Sequence, residues 1–269
     1  MSGRGLQSAL RQFVRDIWDY REVLYFMLWR DFIVRYKQTF AGLWWAVLSP
    51  LLGLGVYWWA FGVVAKLPSD STPYPLFIFT GLIPFTFVSD YIGRATDSLT
   101  NNSDLIQKIF FPRIFVPLSA LLIGCFDFTI MLGILVFMML FYGYLPGLAC
   151  LWLPLWLGIA VMFAFGLGLL LAAVNTAYRD VSRASALVVR LLMFVSPVFY
   201  SRTLVPSSQT WTYDLNPLSG IIQGFRWSLL STEPLMASTW ISAGAVSLLV
   251  FLLGLAAFQA VDANLADNL

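Results

Sequence analysis

The chain has 269 residues, 59% of them hydrophobic and only 11% charged, with a net charge of +2. A soluble domain carries about 25% charged residues, so this chain has too little polar surface to cover a globule. Its mean hydropathy of +0.79 marks a polytopic membrane protein, and so small a net charge argues against nucleic acid as a partner.

Residues 1–37 hold seven Arg or Lys and no uninterrupted apolar core, so no cleaved signal is expected. Within them Leu6, Leu10, Phe13, Ile17, Leu24 and Leu28 recur at helical spacing, opposite Arg11, Arg15, Asp19 and Glu22. The pattern predicts an amphipathic helix lying in the membrane interface, either a simple anchor or also a dock for a cytosolic partner. At Arg35–Leu52 this cationic segment runs straight into hydrocarbon-compatible sequence.

A bilayer core takes about 20 apolar residues in helical form. Six spans are predicted, at roughly 40–65, 74–97, 113–142, 149–175, 184–200 and 238–261, with Pro50, Pro84 and Pro154 inside them. Thirteen Lys/Arg fall on one side of this arrangement and three (Lys66, Arg202, Arg226) on the other. The positive-inside rule then places both termini in the cytoplasm. The two cysteines, Cys125 and Cys150, lie in or near apolar runs and read as buried small residues.

Between the second and third spans, Asn101-Asn-Ser-Asp104 followed by Leu105, Ile106, Lys108, Ile109 and Phe110 predicts a capped short helix with one apolar face. It is a solvated connector or a docking surface. Tyr178-Arg179-Asp180 makes a second, tighter cytoplasmic connection. Residues 201–237 are too long for a plain turn and too polar to cross. Within them Asn216-Pro217 is a strong helix start, and Leu218, Ile221, Ile222, Phe225 and Leu229 continue at helical spacing. That helix spans roughly 21 Å at 1.5 Å per residue. With the short fifth span ending at Ser196-Pro197, it predicts a re-entrant gate on the outer side.

Inside the membrane, Asp90 and Arg94 share a helix face and are expected to pair. Asp127 stands alone near the middle of the third span, either as a pathway residue or in an interhelical hydrogen bond. Aromatics cluster at Trp44-Trp45, Tyr57-Trp58-Trp59 and Phe126/Phe128. The first pair fits an interfacial belt, and the others fit either a belt or a wide sugar pathway, since C–H faces of sugars pack on rings. There is no histidine and no metal, nucleophile-elbow or phosphate-loop motif. Any ATP used is hydrolysed on another subunit.

Trp29-Arg-Asp31, Arg35-Tyr-Lys-Gln and Gly42-Leu-Trp-Trp-Ala-Val-Leu-Ser-Pro50 resemble the membrane subunit of ABC polysaccharide exporters. Tyr74-Pro-Leu-Phe, Gly81-Leu-Ile-Pro84, Lys108-Ile-Phe-Phe-Pro-Arg113 and Asn175-Thr-Ala-Tyr-Arg-Asp180 extend the match. Ser196-Pro-Val-Phe-Tyr200 and Asn216-Pro-Leu…Gly224-Phe-Arg-Trp227 complete it along nearly the whole chain. The resemblance implies an all-α integral membrane permease: an interface helix over 1–37 and a six-helix domain over 38–269. It implies a coupling helix at about 101–111, paired outer gate helices within 201–237, a homodimer, and two ATPase subunits that bind ATP and Mg. The implied cargo is a polysaccharide on undecaprenyl diphosphate or a similar carrier: O-antigen first, capsule or teichoic acid as alternatives. Arg30, Arg35 and Lys37 are candidates for the carrier's diphosphate, since basic residues at the cytoplasmic interface attract anionic head groups. They also read as an ordinary orientation signal. A small-molecule ABC exporter and a membrane enzyme acting on lipid-linked sugars are the rival classes.

Overall fold

The computed structural model describes residues 15, 18–37, 43–109, 111–232 and 237–267. Helix α1 (Arg21–Phe32) continues into a π-helical stretch, Ile33–Lys37. α2 (Leu43–Tyr57) likewise continues as a π-helical stretch, Trp58–Val64. α3 is Tyr74–Thr96, α4 Ser98–Asn101, α5 Ser103–Lys108 and α6 Phe115–Phe141. A 3-10 turn at Leu148–Trp152 leads into α7 (Leu153–Ala177), followed by α8 (Asp180–Val195). α9 (Thr210–Leu215), α10 (Pro217–Leu230) and α11 (Ala237–Asp267) complete the chain. No strand occurs among the described residues.

Among the described residues, five helices are long and apolar enough to cross a membrane: Trp44–Val64, Tyr74–Thr96, Phe115–Phe141, Leu148–Ala177 and Ser238–Asp262. They match five of the six expected spans to within a few residues. The expected span at 184–200 is instead α8, with 16 residues. At 1.5 Å per residue it reaches about 24 Å, short of a hydrocarbon core of about 30 Å, and it stops at the buried turn Ser196–Phe199. Pro154 sits in the first turn of α7, where its missing N–H leaves no bond unmade. Pro50 and Pro84 are interior to α2 and α3.

α3 is the central element. Its residues Leu76 to Val88 are buried almost without interruption, because α6, α7, α8 and α10 surround it. α7 and α11 make the most extensive helix pair in the molecule, and glycines permit their close approach: Gly166 and Gly254 lie against each other's helix backbone. The first span is the opposite case. It touches α3 and α6, but almost none of it is buried.

Arg113, at the start of α6, donates to the Asp262 carboxylate (3.1 Å) and backbone carbonyl (3.0 Å) near the end of α11. These contacts, with the end of α3, define one end of the bundle, called here the basic end. At the opposite end Arg202 bridges Thr239 at the start of α11 (2.8 Å) and Asp214 of α9 (3.3 Å).

The amphipathic N-terminal helix is seen only in part; Leu6, Leu10, Phe13 and Ile17 lie outside the described residues. α1 buries Leu24 and Met27 against the bundle but exposes Tyr25, Phe26 and Trp29. Its outer side is therefore aromatic rather than uniformly polar. Cys125 and Cys150 are both free and half-buried.

Candidate functional site

Between the basic end and the middle of the bundle, an ion cluster joins three elements distant in sequence. Asp127, on α6, accepts from Arg35 at 2.8 Å and from Arg94 at 3.2 Å. The Tyr36 hydroxyl donates to its other oxygen. Burial first, and the bond to Asp127 second, push the Tyr36 hydroxyl up to about 12, so it stays protonated and donating at physiological pH. The π-helical stretch places Arg35 and Tyr36 together here; such widened turns recur at functional sites.

Of the two readings of Asp127, the structure shows the interhelical hydrogen bond, to Arg94 of α3, with Arg35 and Tyr36 as further partners. One expectation is corrected. Arg94 does not pair with Asp90 one turn earlier; it reaches across to Asp127. Asp90 forms no ion pair among the described residues and lines the same cavity as Asp127, Arg35, Tyr36 and Tyr57. That cavity, of about 470 Å³, lies between α2, α3, α6 and α8. A second, of about 490 Å³, lies beyond Arg35 and is lined by Arg30, Arg94, Asp97, Asn101 and Asn102 among others. Both volumes fall within the roughly 300–1,000 Å³ of ligand pockets.

The other expected diphosphate residues divide. Arg30 pairs with Asp31 (2.7 Å) and donates to the Asn102 side chain (2.8 Å), while Lys37 is exposed. Of the aromatic candidates, Tyr57 lines the first cavity, and its ring packs on Phe199 at 4.8 Å. Trp58 and Trp59 are exposed and line neither cavity. Phe126 belongs to a cluster with Phe32 (5.2 Å) and Tyr36 (5.6 Å). Rings of Tyr25, Trp29, Phe32 and Tyr36 follow one another down α1 into this cluster. The period of that stripe, at positions 25, 29, 32 and 36, was present in the sequence but hidden by the apolar and charged pattern overlying it.

The two short connections lie at the same end. α4 and α5 are separated by Asn102, whose side chain does not cap α5. Its amide donates to the Ser98 carbonyl (2.8 Å) and its oxygen accepts from Arg30, so the expected cap is replaced by a tie to α1. Leu105 and Ile106 pack on the core, whereas Asp104, Lys108 and Ile109 are exposed; Phe110 lies outside the described residues. Asp97, at the end of α3, accepts from Ser182 (2.9 Å) and Asn175 (3.3 Å), which brings the Tyr178–Asp180 turn close by. Tyr178, Arg179 and Asp180 are exposed. The 3.8 Å pair of Asp180 with Arg183 is almost fully solvated and contributes little.

At the far end, α10 starts as the sequence predicts. The Asn216 side chain accepts from the Leu218 N–H at 3.1 Å, and Pro217 takes the first position. Asn216 also donates to the Ser196 hydroxyl (2.9 Å), tying the helix to the Ser196-Pro197 turn. Changing Asn216 to Ala is expected to cost about 1 kcal/mol for the cap and more for the lost tie, read as a lower melting temperature in detergent; Asn216→Asp retains most of it. Ile221 and Phe225 are fully buried, and Phe225 meets Phe128 edge-on at 5.9 Å. Arg226 was expected on an outer loop; it is 3% exposed. It donates to the backbone carbonyls of Val198 (2.7 Å), Phe77 (3.3 Å) and Tyr200 (3.4 Å) and stacks on Phe77.

The described residues thus form an all-helical domain with five helices long and apolar enough to cross a membrane, an ion cluster among them and a buried short helix at one end. Residues 22–230 match the family model described as ABC-2 type transporter, and the chain belongs to that family. It is similar to the O-antigen export system permease protein RfbA of Klebsiella pneumoniae, 29% identical over 198 residues, 73% of this chain and 76% of that protein. RfbA of Myxococcus xanthus is 28% identical over 236 residues, 85% of this chain and 90% of the relative. The polysialic acid transport protein KpsM of Escherichia coli is 24% identical over 207 residues, 75% and 78% of the two chains.

Proposed function

We propose that this chain is the transmembrane permease of an ATP-driven exporter that carries lipid-linked polysaccharide, O-antigen above all, from the cytoplasm across the inner membrane. The observation that carries the reading is continuous similarity to O-antigen export permeases over most of both chains. The similarity to KpsM supports a capsular polymer as the second reading. Both termini are cytoplasmic, which puts the basic end on the cytoplasmic side. α8 serves as a shortened sixth span, and α10 as a re-entrant outer gate helix.

Two copies form the permease. The exposed stripe Trp44, Leu48, Leu52, Val56 and Trp59 of the first span, at helical spacing, is the surface this reading gives to the second copy. Two ATPase subunits, holding ATP and Mg, dock against α5 and the Tyr178–Asp180 turn. The carrier's diphosphate meets Arg30, Arg35 and Lys37, which border or adjoin the two cavities, and the glycan passes Tyr57.

The test is a chromosomal deletion with surface immunostaining. Intracellular build-up of polymer with loss from the surface, restored by the wild-type gene, is the expected result; an unchanged surface coat refutes the reading. Complementation by Arg35→Gln/Lys37→Gln is expected to fall at least tenfold at equal expression, and normal export by that variant would remove these residues from the diphosphate's path.

A further inference from the structure

Arg35 is already occupied: Asp127 holds it at 2.8 Å. An anionic ligand reaching Arg35 therefore competes with a carboxylate for the guanidinium's charge. We propose that Arg35 exchanges partners, leaving Asp127 for the diphosphate of the lipid carrier, while Arg94 keeps Asp127 neutralised. This rests on the diphosphate reading above and adds the regulation of that site.

Three features carry it. The cavities on either side share Arg35 in their walls, so its guanidinium has space on both flanks of the ion pair. Arg94 also has donors to spare: its Nε and Nη2 are buried and make no hydrogen bond among the described residues. It engages Asp127 through Nη1 alone, and Asp90 stands one turn back on its own helix. When Arg35 departs, Arg94 turns a second donor to Asp127, so that carboxylate's repulsion of the incoming anion is reduced. Finally, Arg35 rides on a π-helical turn just before the first span, whose burial is slight. The Arg35 side chain is partly exposed, so its guanidinium swings away while buried Tyr36 beside it keeps its bond to Asp127.

In this scheme Asp127 is a competitor of the ligand and Arg94 a positioning residue that acts through Asp127. If the pair is closed in nine of ten molecules, the apparent affinity of the ligand is reduced about tenfold. Removing the competitor restores that factor.

The experiment uses the full-length chain in nanodiscs. The probes are undecaprenyl diphosphate in the lipid phase and, separately, inorganic pyrophosphate in buffer. Asp127→Asn is expected to bind the lipid probe about tenfold more tightly than wild type. Asp127→Asn/Arg94→Gln, whose charge change is balanced should the single variant fold poorly, is expected to bind as tightly as Asp127→Asn alone. Arg94→Gln alone binds more weakly than wild type. Tightening with both probes assigns the exchange to the diphosphate group itself; tightening with the lipid only assigns it to the membrane-held carrier. Unchanged or weaker binding by both folded Asp127 variants overturns the exchange. If Arg35→Gln leaves wild-type binding intact, the diphosphate reading falls too; if it weakens binding while Asp127→Asn fails to tighten it, only the exchange falls.

Discussion

Gly254→Ala is expected to lower the stability of the chain by about 3 kcal/mol, at the upper end of overpacking costs. A methyl group there would sit on the Gly166 carbonyl oxygen, 2.7 Å from the carbonyl carbon and 3.0 Å from Cα. The reverse change, Gly166→Ala, would bring a methyl to 2.6 Å from the Phe251 nitrogen. Every atom in the way is backbone, so no side chain can rotate aside and the helices must part. Association of helices in lipid depends on such close backbone approach, because there is no solvent-driven term to compensate lost packing. Gly158 on α7 and Gly244 on α11 supply controls on the same two helices. A Cβ at either meets nothing within 4 Å, so Ala there is neutral or stabilising by up to about 1 kcal/mol. The melting temperature in detergent, followed by fluorescence-detected gel filtration, separates the two classes. Equal behaviour of Gly254→Ala and Gly244→Ala would refute the account.

The second large effect is expected at Arg226. Its guanidinium satisfies three carbonyls from two separate segments, the start of α3 and the turn after α8. No carboxylate among the described residues pairs with it, so carbonyl dipoles and the Phe77 ring, 3.6 Å away, carry its charge. Arg226→Leu removes the desolvated cation but takes this donor from the Val198 and Tyr200 carbonyls, each costing about 1–3 kcal/mol when buried, while the Phe77 carbonyl keeps its partner within α3. A net loss of about 3 kcal/mol is expected, with faster hydrogen exchange along α10. Arg226→Lys restores only part of it, because a single ammonium cannot reproduce the planar fork. Protection of α10 unchanged in Arg226→Leu would show that the helix is held by its apolar face alone.

Long apolar runs made the spans legible, since length and hydropathy suffice to mark a crossing. The fifth was harder: Leu187 to Phe199 is apolar but for Arg190 and Ser196, and only Pro197 hints that the helix stops early. Asp127 was legible as an anomaly but its partners were not, because Arg35 and Tyr36 reach it through tertiary packing. Asp90 and Arg94 show why local spacing misled. Four residues apart is a sufficient condition for contact on an isolated helix, but a half-buried arginine takes the better carboxylate in three dimensions. Arg226 could have been found. It lies four residues after Ile222 and eight after Leu218, on the face that those residues bury, and that periodicity places it inside the helix's packed side. Tyr57, Trp58 and Trp59 separate for the complementary reason: consecutive aromatics on a helix point three ways, and of these only Tyr57 lines the cavity.

The first span behaves mechanically as a beam fixed at its two ends. One fixing is the grip of Asp127 on Arg35, just before the span begins. The other is the packing of Tyr57 and Phe61 on Phe199, at 4.8 and 4.5 Å. Between these fixings few contacts resist displacement. The span's 21 residues make a rod about 31 Å long, so a small tilt about the Phe199 contact displaces its opposite end by several ångströms without unfolding a turn.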